Sequence, residues 1–305
     1  MTVPASAQDI EVELLEELPS IGREIARALV PTRRGGPDGS LPDRRVMVTD
    51  LVQDADRFAA YSRVCGFTLR DTVPATWLHV LTFPLQVHLM ASADFPLALP
   101  GLVHVSNRMR LHRPVGVGEA VTLSSSAADL RAHGSGTQVD LLGEARVGDE
   151  VVWTGRSTYL ARGKRPSDSP AQDATGPDLP KNAPEAVRTS PRNGGEPSAL
   201  WRLGGGLGRE YAAVSGDVNP IHLTPLTARA FGFPRTIAHG MWVHARTLAA
   251  LEGRLPAVYE AAVEFRKPVL LPSTVGFSFA REGGGLGLCV TDRAGSRVHL
   301  TGSVT

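Results

Sequence analysis

The sequence predicts an α+β protein in which one plan, a helix followed by hairpins, is laid down twice. Strand-like runs close both halves. In the first half they are Val103 to Leu111, Ala120 to Ser126, Thr137 to Arg146 and Val151 to Ala161. In the second they are Val258 to Phe265, Thr274 to Arg281, Gly287 to Asp292 and Val298 to Val304, again joined by Gly-rich turns. Two short frames also recur. Tyr61, Val64 and Gly66 return as Tyr211, Val214 and Gly216 at an offset of 150, and MRLHRPV from Met109 returns as VEFRKPV from Val263 at an offset of 154.

Taken in order, residues 10–30 space Ile10, Leu14, Leu15, Leu18, Ile21, Ile25 and Leu29 closely enough to predict an amphipathic helical lead-in that Pro19 interrupts. PTRRGGPDGSLPDRR, residues 31–45, reads as a loop, and Val46 to Val52 as a short strand. Pro74 to Met90 is the first copy's central helix, with Pro84 expected to break it. Residues 163–198 are rich in Pro, Ser, Asp and Gly and poor in large apolar groups, so they cannot bury enough surface to order themselves. They predict a linker between a first repeat, 1–162, and a second, 199–305.

Composition narrows the function. With 305 residues, 42% hydrophobic, the chain can bury a large core. A net charge of +1 gives no reason to expect nucleic acid or a membrane surface, and no apolar run is long enough to span a bilayer. The acidic N-terminal stretch does not read as a secretory signal. Two cysteines, Cys65 and Cys289, make neither a disulfide framework nor a metal spacing, so a cytoplasmic setting is expected.

Chemistry concentrates in Tyr211 to Trp242, YAAVSGDVNPIHLTPLTARAFGFPRTIAHGMW. Asp217 and His222 are five residues apart and meet only if the chain bends between them, which Asn219 and Pro220 favour. A carboxylate and an imidazole brought together can share one water and move its protons. The same residues also suit an ordinary turn in which Asp217 caps the next helix.

The string SGDxNPxH, followed by a small-residue helix, GF and AHGM, resembles the hydratase motif of the MaoC-like dehydratases, the (R)-specific enoyl-CoA hydratases or hydratase 2 family. The closest likeness within it is to the two-domain 3-hydroxyacyl-thioester dehydratases of actinobacteria. That resemblance implies a double hot dog fold, each sheet wrapping a central helix, with Asp217 and His222 catalytic. It implies that Ser215 and Asn219 order the site and that the Gly240 amide faces the thioester carbonyl, as a helix start can. The reaction implied is reversible hydration of a trans-2-enoyl thioester to an (R)-3-hydroxyacyl thioester. Either dyad member could be the base. Phe67 and Thr72 stand opposite Asp217 and His222, so the first repeat is expected to be degenerate.

No cofactor is expected beyond coenzyme A or acyl carrier protein as the substrate's carrier, whose phosphates Arg229, Arg235, Arg266 and Lys267 could meet. No metal is expected, since Asp217, Asn219 and His222 make a poor cage. A monomer of two repeats and a homodimer both fit. The rival readings are a non-catalytic acyl-thioester-binding module and a hot dog thioesterase. His79, His88, His104 and His112 read as core or surface residues and His239 as a loop tether. GGGLG at 204–208 and 283–287 and HGSG at 133–136 read as turns.

Overall fold

Alternation along β3 (Leu102–Leu111) buries Asn107, Met109 and Leu111 and leaves Arg108 and Arg110 on the opposite face. Val46 and Val48, and Tyr259, Ala261 and Val263, alternate with less buried neighbours in the same way, and the inner face of the sheet packs on helices. The computed structural model describes residues 10–29, 39–163 and 196–305. The loop expected over residues 31–45 lies outside these up to residue 38, and the linker expected over residues 163–198 lies outside them from 164 to 195.

In the first half, β1 (Glu11–Leu14), β2 (Arg44–Leu51), β4 (Val121–His133), β5 (Gly136–Val147) and β6 (Glu150–Arg162) join β3 around α3 (Ala75–Ala91). In the second, β7 (Ala199–Leu203), β8 (Tyr259–Phe265), β9 (Ser273–Glu282), β10 (Gly285–Asp292) and β11 (Val298–Val304) accompany α6 (Gly240–Ala250). The two sets fuse into one sheet in the order β1-β2-β4-β5-β6-β3-β8-β11-β10-β9-β7. The seam is the antiparallel pair β3–β8, where Arg108 faces Ala262. Those two residues are also counterparts at the 154-residue offset, so the axis relating the copies passes through them.

Other counterparts behave alike. α2 (Ala55–Cys65) and α4 (Leu207–Ser215) both end on a left-handed glycine, Gly66 at φ 81° and Gly216 at φ 80°, a backbone state that favours glycine. Tyr61 and Tyr211, from the two frames, meet with ring centroids 6.2 Å apart. Val73 N–H donates to the Val115 carbonyl just as Ala238 N–H donates to that of Val269, both at 2.9 Å. Phe67, at the position matching Asp217, is buried and stacks on Tyr61.

Three expectations need correction. The lead-in is not helical throughout: Glu11–Leu14 is an edge strand pairing parallel with β2, and only Ile21–Ala28 forms a helix, α1. The run from Ala120 continues to His133, because a register shift between Ala128 and Arg131, with Asp129 at φ 53°, bends the strand without ending it. Pro84 does not break α3. It removes a donor at a cost of about 3 kcal/mol, but fifteen of the helix's seventeen residues are buried, and each large apolar side chain buried contributes about 1.5–3 kcal/mol.

Candidate active site

The bend between Asp217 and His222 is a relay of side-chain-to-backbone bonds. Ser215 Oγ donates to the Tyr211 carbonyl (2.8 Å) and accepts from Asp217 N–H (3.1 Å). Asp217 Oδ1 accepts from Asn219 N–H (3.2 Å), and Asn219 Oδ1 accepts from Ile221 N–H (3.4 Å) at the start of a 3-10 turn, Pro220–His222. Asn219, rather than Asp217, therefore caps that turn, and the Asp217 carboxylate keeps its second oxygen for other work. The small-residue helix comes next as α5 (Pro225–Ala230), capped by Thr224. Gly208 lets α4 approach the 3-10 turn: a Cβ there would lie 2.0 Å from the His222 carbonyl oxygen. That is the packing reason for the last glycine of the first GGGLG.

His222 is oriented from behind. Its Nδ1 bonds the Ile237 carbonyl at 2.8 Å, so in the neutral ring Nδ1 carries the proton and Nε2 is a free acceptor. Ile237 is itself held by an antiparallel bridge to Leu270. His239 lies against it, ring centroids 3.6 Å apart and planes 23° apart, and its Nε2 donates to the Asp217 backbone carbonyl at 3.0 Å. His239 is thus the loop tether that its sequence position suggests, but it also forms one wall of the site. Its neighbour Gly240 is the only sequence signal for that.

Asp217, His222 and His239 each offer an atom within 4.8 Å of the others. Such a trio invites a metal ion, but the geometry is poor. Ligand nitrogens must point along their ring planes to a common centre about 2 Å away, and two planes this nearly parallel and this far apart meet only well beyond that distance.

Burial sets the protonation states. It raises the Asp217 carboxyl's proton affinity, partly offset by His222 and the Asn219 amide. It lowers His222 to about 3, helped by His239, and His239 to about 4. A quarter of the Asp217 side chain nevertheless remains accessible to solvent.

Gly240 opens α6 beside this pair, and a helix's first amides have no partner within the helix. A Cβ here would lie 3.0 Å from the Phe265 ring. Gly240→Ala is accordingly expected to push that ring and the helix start apart. Hydration kcat/KM should fall about tenfold or more with thermal stability little changed, as steady-state kinetics and a melting curve would show.

Of the candidate phosphate-binding groups, Arg266 is paired with Glu264, and Arg235 donates to the Pro272 carbonyl at 3.3 Å. Arg229 and Lys267 are exposed. A cavity of about 330 Å³ lies elsewhere, on the outer face of the sheet, between Arg45, Arg108, Arg110, Arg156, Glu144 and Glu260. None of the residues singled out at the dyad lines it.

Residues 208–296 match the MaoC-like domain, and residues 59–154 match a FAS1-like dehydratase region. The 3-hydroxyacyl-thioester dehydratase X of Mycobacterium tuberculosis is 39% identical over 264 residues, 87% of this chain and 90% of that protein. The crystal structure of HtdX from the same organism superposes with a TM-score of 0.72 at 36% identity, covering 86% of this chain and 99% of that one. Another Mycobacterium tuberculosis protein, described as having a double hotdog fold, shares the fold with a TM-score of 0.51 at 15% identity, over 83% of this chain and 92% of its own. With a dehydratase domain matched in each half and a dehydratase relative matched along most of its length, the chain belongs to the MaoC-like 3-hydroxyacyl-thioester dehydratases, hydro-lyases built on a double hot dog fold.

Proposed function

We propose that this chain adds water reversibly across the 2,3 double bond of a trans-2-enoyl thioester to give an (R)-3-hydroxyacyl thioester, with Asp217 and His222 as the proton-transfer pair. The observation that carries the reading is that His222 Nε2 is left as an acceptor by the bond from Nδ1 to Ile237, while His222 and Asp217 offer atoms within 4.8 Å of each other. In the hydration direction His222 takes a proton from the water whose oxygen bonds to C3. Asp217, whose proton affinity burial has raised, gives a proton to C2. Transfer of the His222 proton back to Asp217 resets the pair. The Gly240 amide takes the developing negative charge on the thioester oxygen. Ser215 and Asn219 keep the acid in place.

Residues 199–305 supply this machinery, while 1–162 act as the degenerate repeat that completes the fold. The carrier is coenzyme A or acyl carrier protein, with Arg229, Arg235 and Lys267 better available to its phosphates than Arg266. Neither cysteine is in a disulfide, and among the described residues no helix is long and apolar enough to cross a membrane. Both facts suit work in the cytoplasm. The test is loss of enoyl-thioester absorbance over a ladder of chain lengths. Release of free thiol instead of hydration would replace this reading with a thioesterase. Because the stacked rings are poorly angled to share an ion, chelator-treated enzyme is expected to keep its rate. A loss restored by added zinc would make the trio a metal centre.

A further inference from the structure

Beyond Gly240 the site continues into a file of aromatic and polar side chains reaching toward the first half. Phe265, which packs on Gly240, lies 5.0 Å from the His104 ring. His104 stacks on Tyr159 at 4.6 Å with planes 17° apart, and His79 follows at 6.2 Å with Phe83 beyond it at 5.9 Å. His104, Phe83 and Phe265 each stay partly accessible.

The backbone is arranged to place His104 there. Alternation along β3 would put it outward with Arg108 and Arg110. A register shift between His104 and Ser106 instead sets it opposite Tyr159 on the inner face. Its bond to the Ser106 backbone uses Nδ1, since Nε2 has no partner, so Nε2 presents a lone pair. Ser157 lies beside the Tyr159 hydroxyl and, because its Oγ accepts from Asn107 at 3.1 Å, has its own proton to give it, which leaves the Tyr159 O–H to donate elsewhere. Further along, His79 Nδ1, both nitrogens of His244 and both amide atoms of Gln86 are buried without partners. Gln86 is seven residues, two turns, beyond His79 on the same face of α3. Unsatisfied buried polar groups are scarce in folded proteins, and this many in one file calls for a polar occupant.

We infer that this file is a second binding station that selects acyl chains bearing a hydroxyl group, the hydroxyl donating to His104 Nε2 and accepting from Tyr159 Oη. The proposed hydratase function supplies the link, because Tyr159 is near enough to Asp217 to feel its charge, so an acyl chain whose C3 lies at Asp217 and His222 meets Tyr159 and the His104 ring stacked on it next. A plain alkyl chain would leave these groups unpaired, and an ether oxygen could use Tyr159 but not His104.

Saturated thioesters, which cannot be hydrated, separate this proposal from the catalytic one. Calorimetric titration of the intact protein would compare an octanoyl-coenzyme A with chain-matched analogues in which a hydroxyl, or its methyl ether, is moved along the chain one carbon at a time. At one position the hydroxyl analogue is expected to bind at least about tenfold tighter than octanoyl, and the ether to gain little. In His104→Phe, which keeps the ring stack, that ratio should fall to near one. Tyr159→Phe should reduce it in part. Equal binding of alkyl and hydroxyl chains at every position would mean that the file holds only water or hydrocarbon and would overturn the inference. So would a preference that survives His104→Phe. Failure of the enoyl-thioester assay with this preference intact would count against the hydratase reading alone.

Discussion

Asp217→Asn is expected to reduce kcat for hydration of a crotonyl or longer enoyl thioester by about 10²- to 10⁴-fold, the usual contribution of a positioned proton-transfer group. An amide oxygen can still accept from Asn219 N–H, so the loop should keep its shape and the variant its melting temperature. What it cannot do is exchange a proton with C2. His222→Ala is expected to cost about as much, with some loss of stability, since it also removes the bond to Ile237 and the stack on His239. The two losses should not add in the double variant, because either residue alone leaves the water without a complete proton path. With kcat and kcat/KM falling together, the missing interaction belongs to the transition state. Near-normal turnover in either single variant would remove the pair from the mechanism.

Much of this site was legible because its parts are contiguous in the chain. Ser215, Asp217 and Asn219 are ordered by bonds two to four residues long, and local geometry of that kind follows from residue type and spacing, whereas the His222 ring is set by Ile237, fifteen residues on. The strands were legible for a similar reason, since alternation and Gly-rich turns are local signals. The errors arose where tertiary burial overrode local preference. Pro84 stays helical because α3 is buried nearly all round, and Glu11–Leu14 becomes a strand because β2 offers an edge. Tyr159 and His104 were beyond reach of a motif for another reason. They come from the repeat that lacks the dyad, and the shift in β3 that turns His104 inward has no sequence mark.

The same buried histidines predict that the fold itself is acid-sensitive. His79 and His239 are lowered to about 4, His222 and His244 to about 3, and His104 well below its ordinary value, in each case chiefly by burial. Folded pKa values below the unfolded one, about 6.5, mean that the unfolded chain binds more protons between the two. The stability is therefore complete above pH 6.5 and lost as pH falls. Well below pH 6.5, five such groups together cost about 7 kcal/mol per pH unit, at about 1.4 kcal/mol each, against a total stability of about 5–15 kcal/mol. Carboxyls held low by partners, Glu13, Asp94, Glu119 and Asp292, add to the loss only at lower pH, and the raised Asp217 and Glu264 oppose it as two against six once His299, also lowered by burial, is counted. Unfolding is thus expected near pH 5, read by tryptophan fluorescence or circular dichroism. His244→Met, which removes a ring with no hydrogen-bond partner, should move the midpoint to lower pH. The acid limb of the hydration rate should then track the unfolding curve, because His222 in the intact fold keeps its lone pair to about pH 3. A chain still folded at pH 4 would show that these rings gain protons without leaving the core.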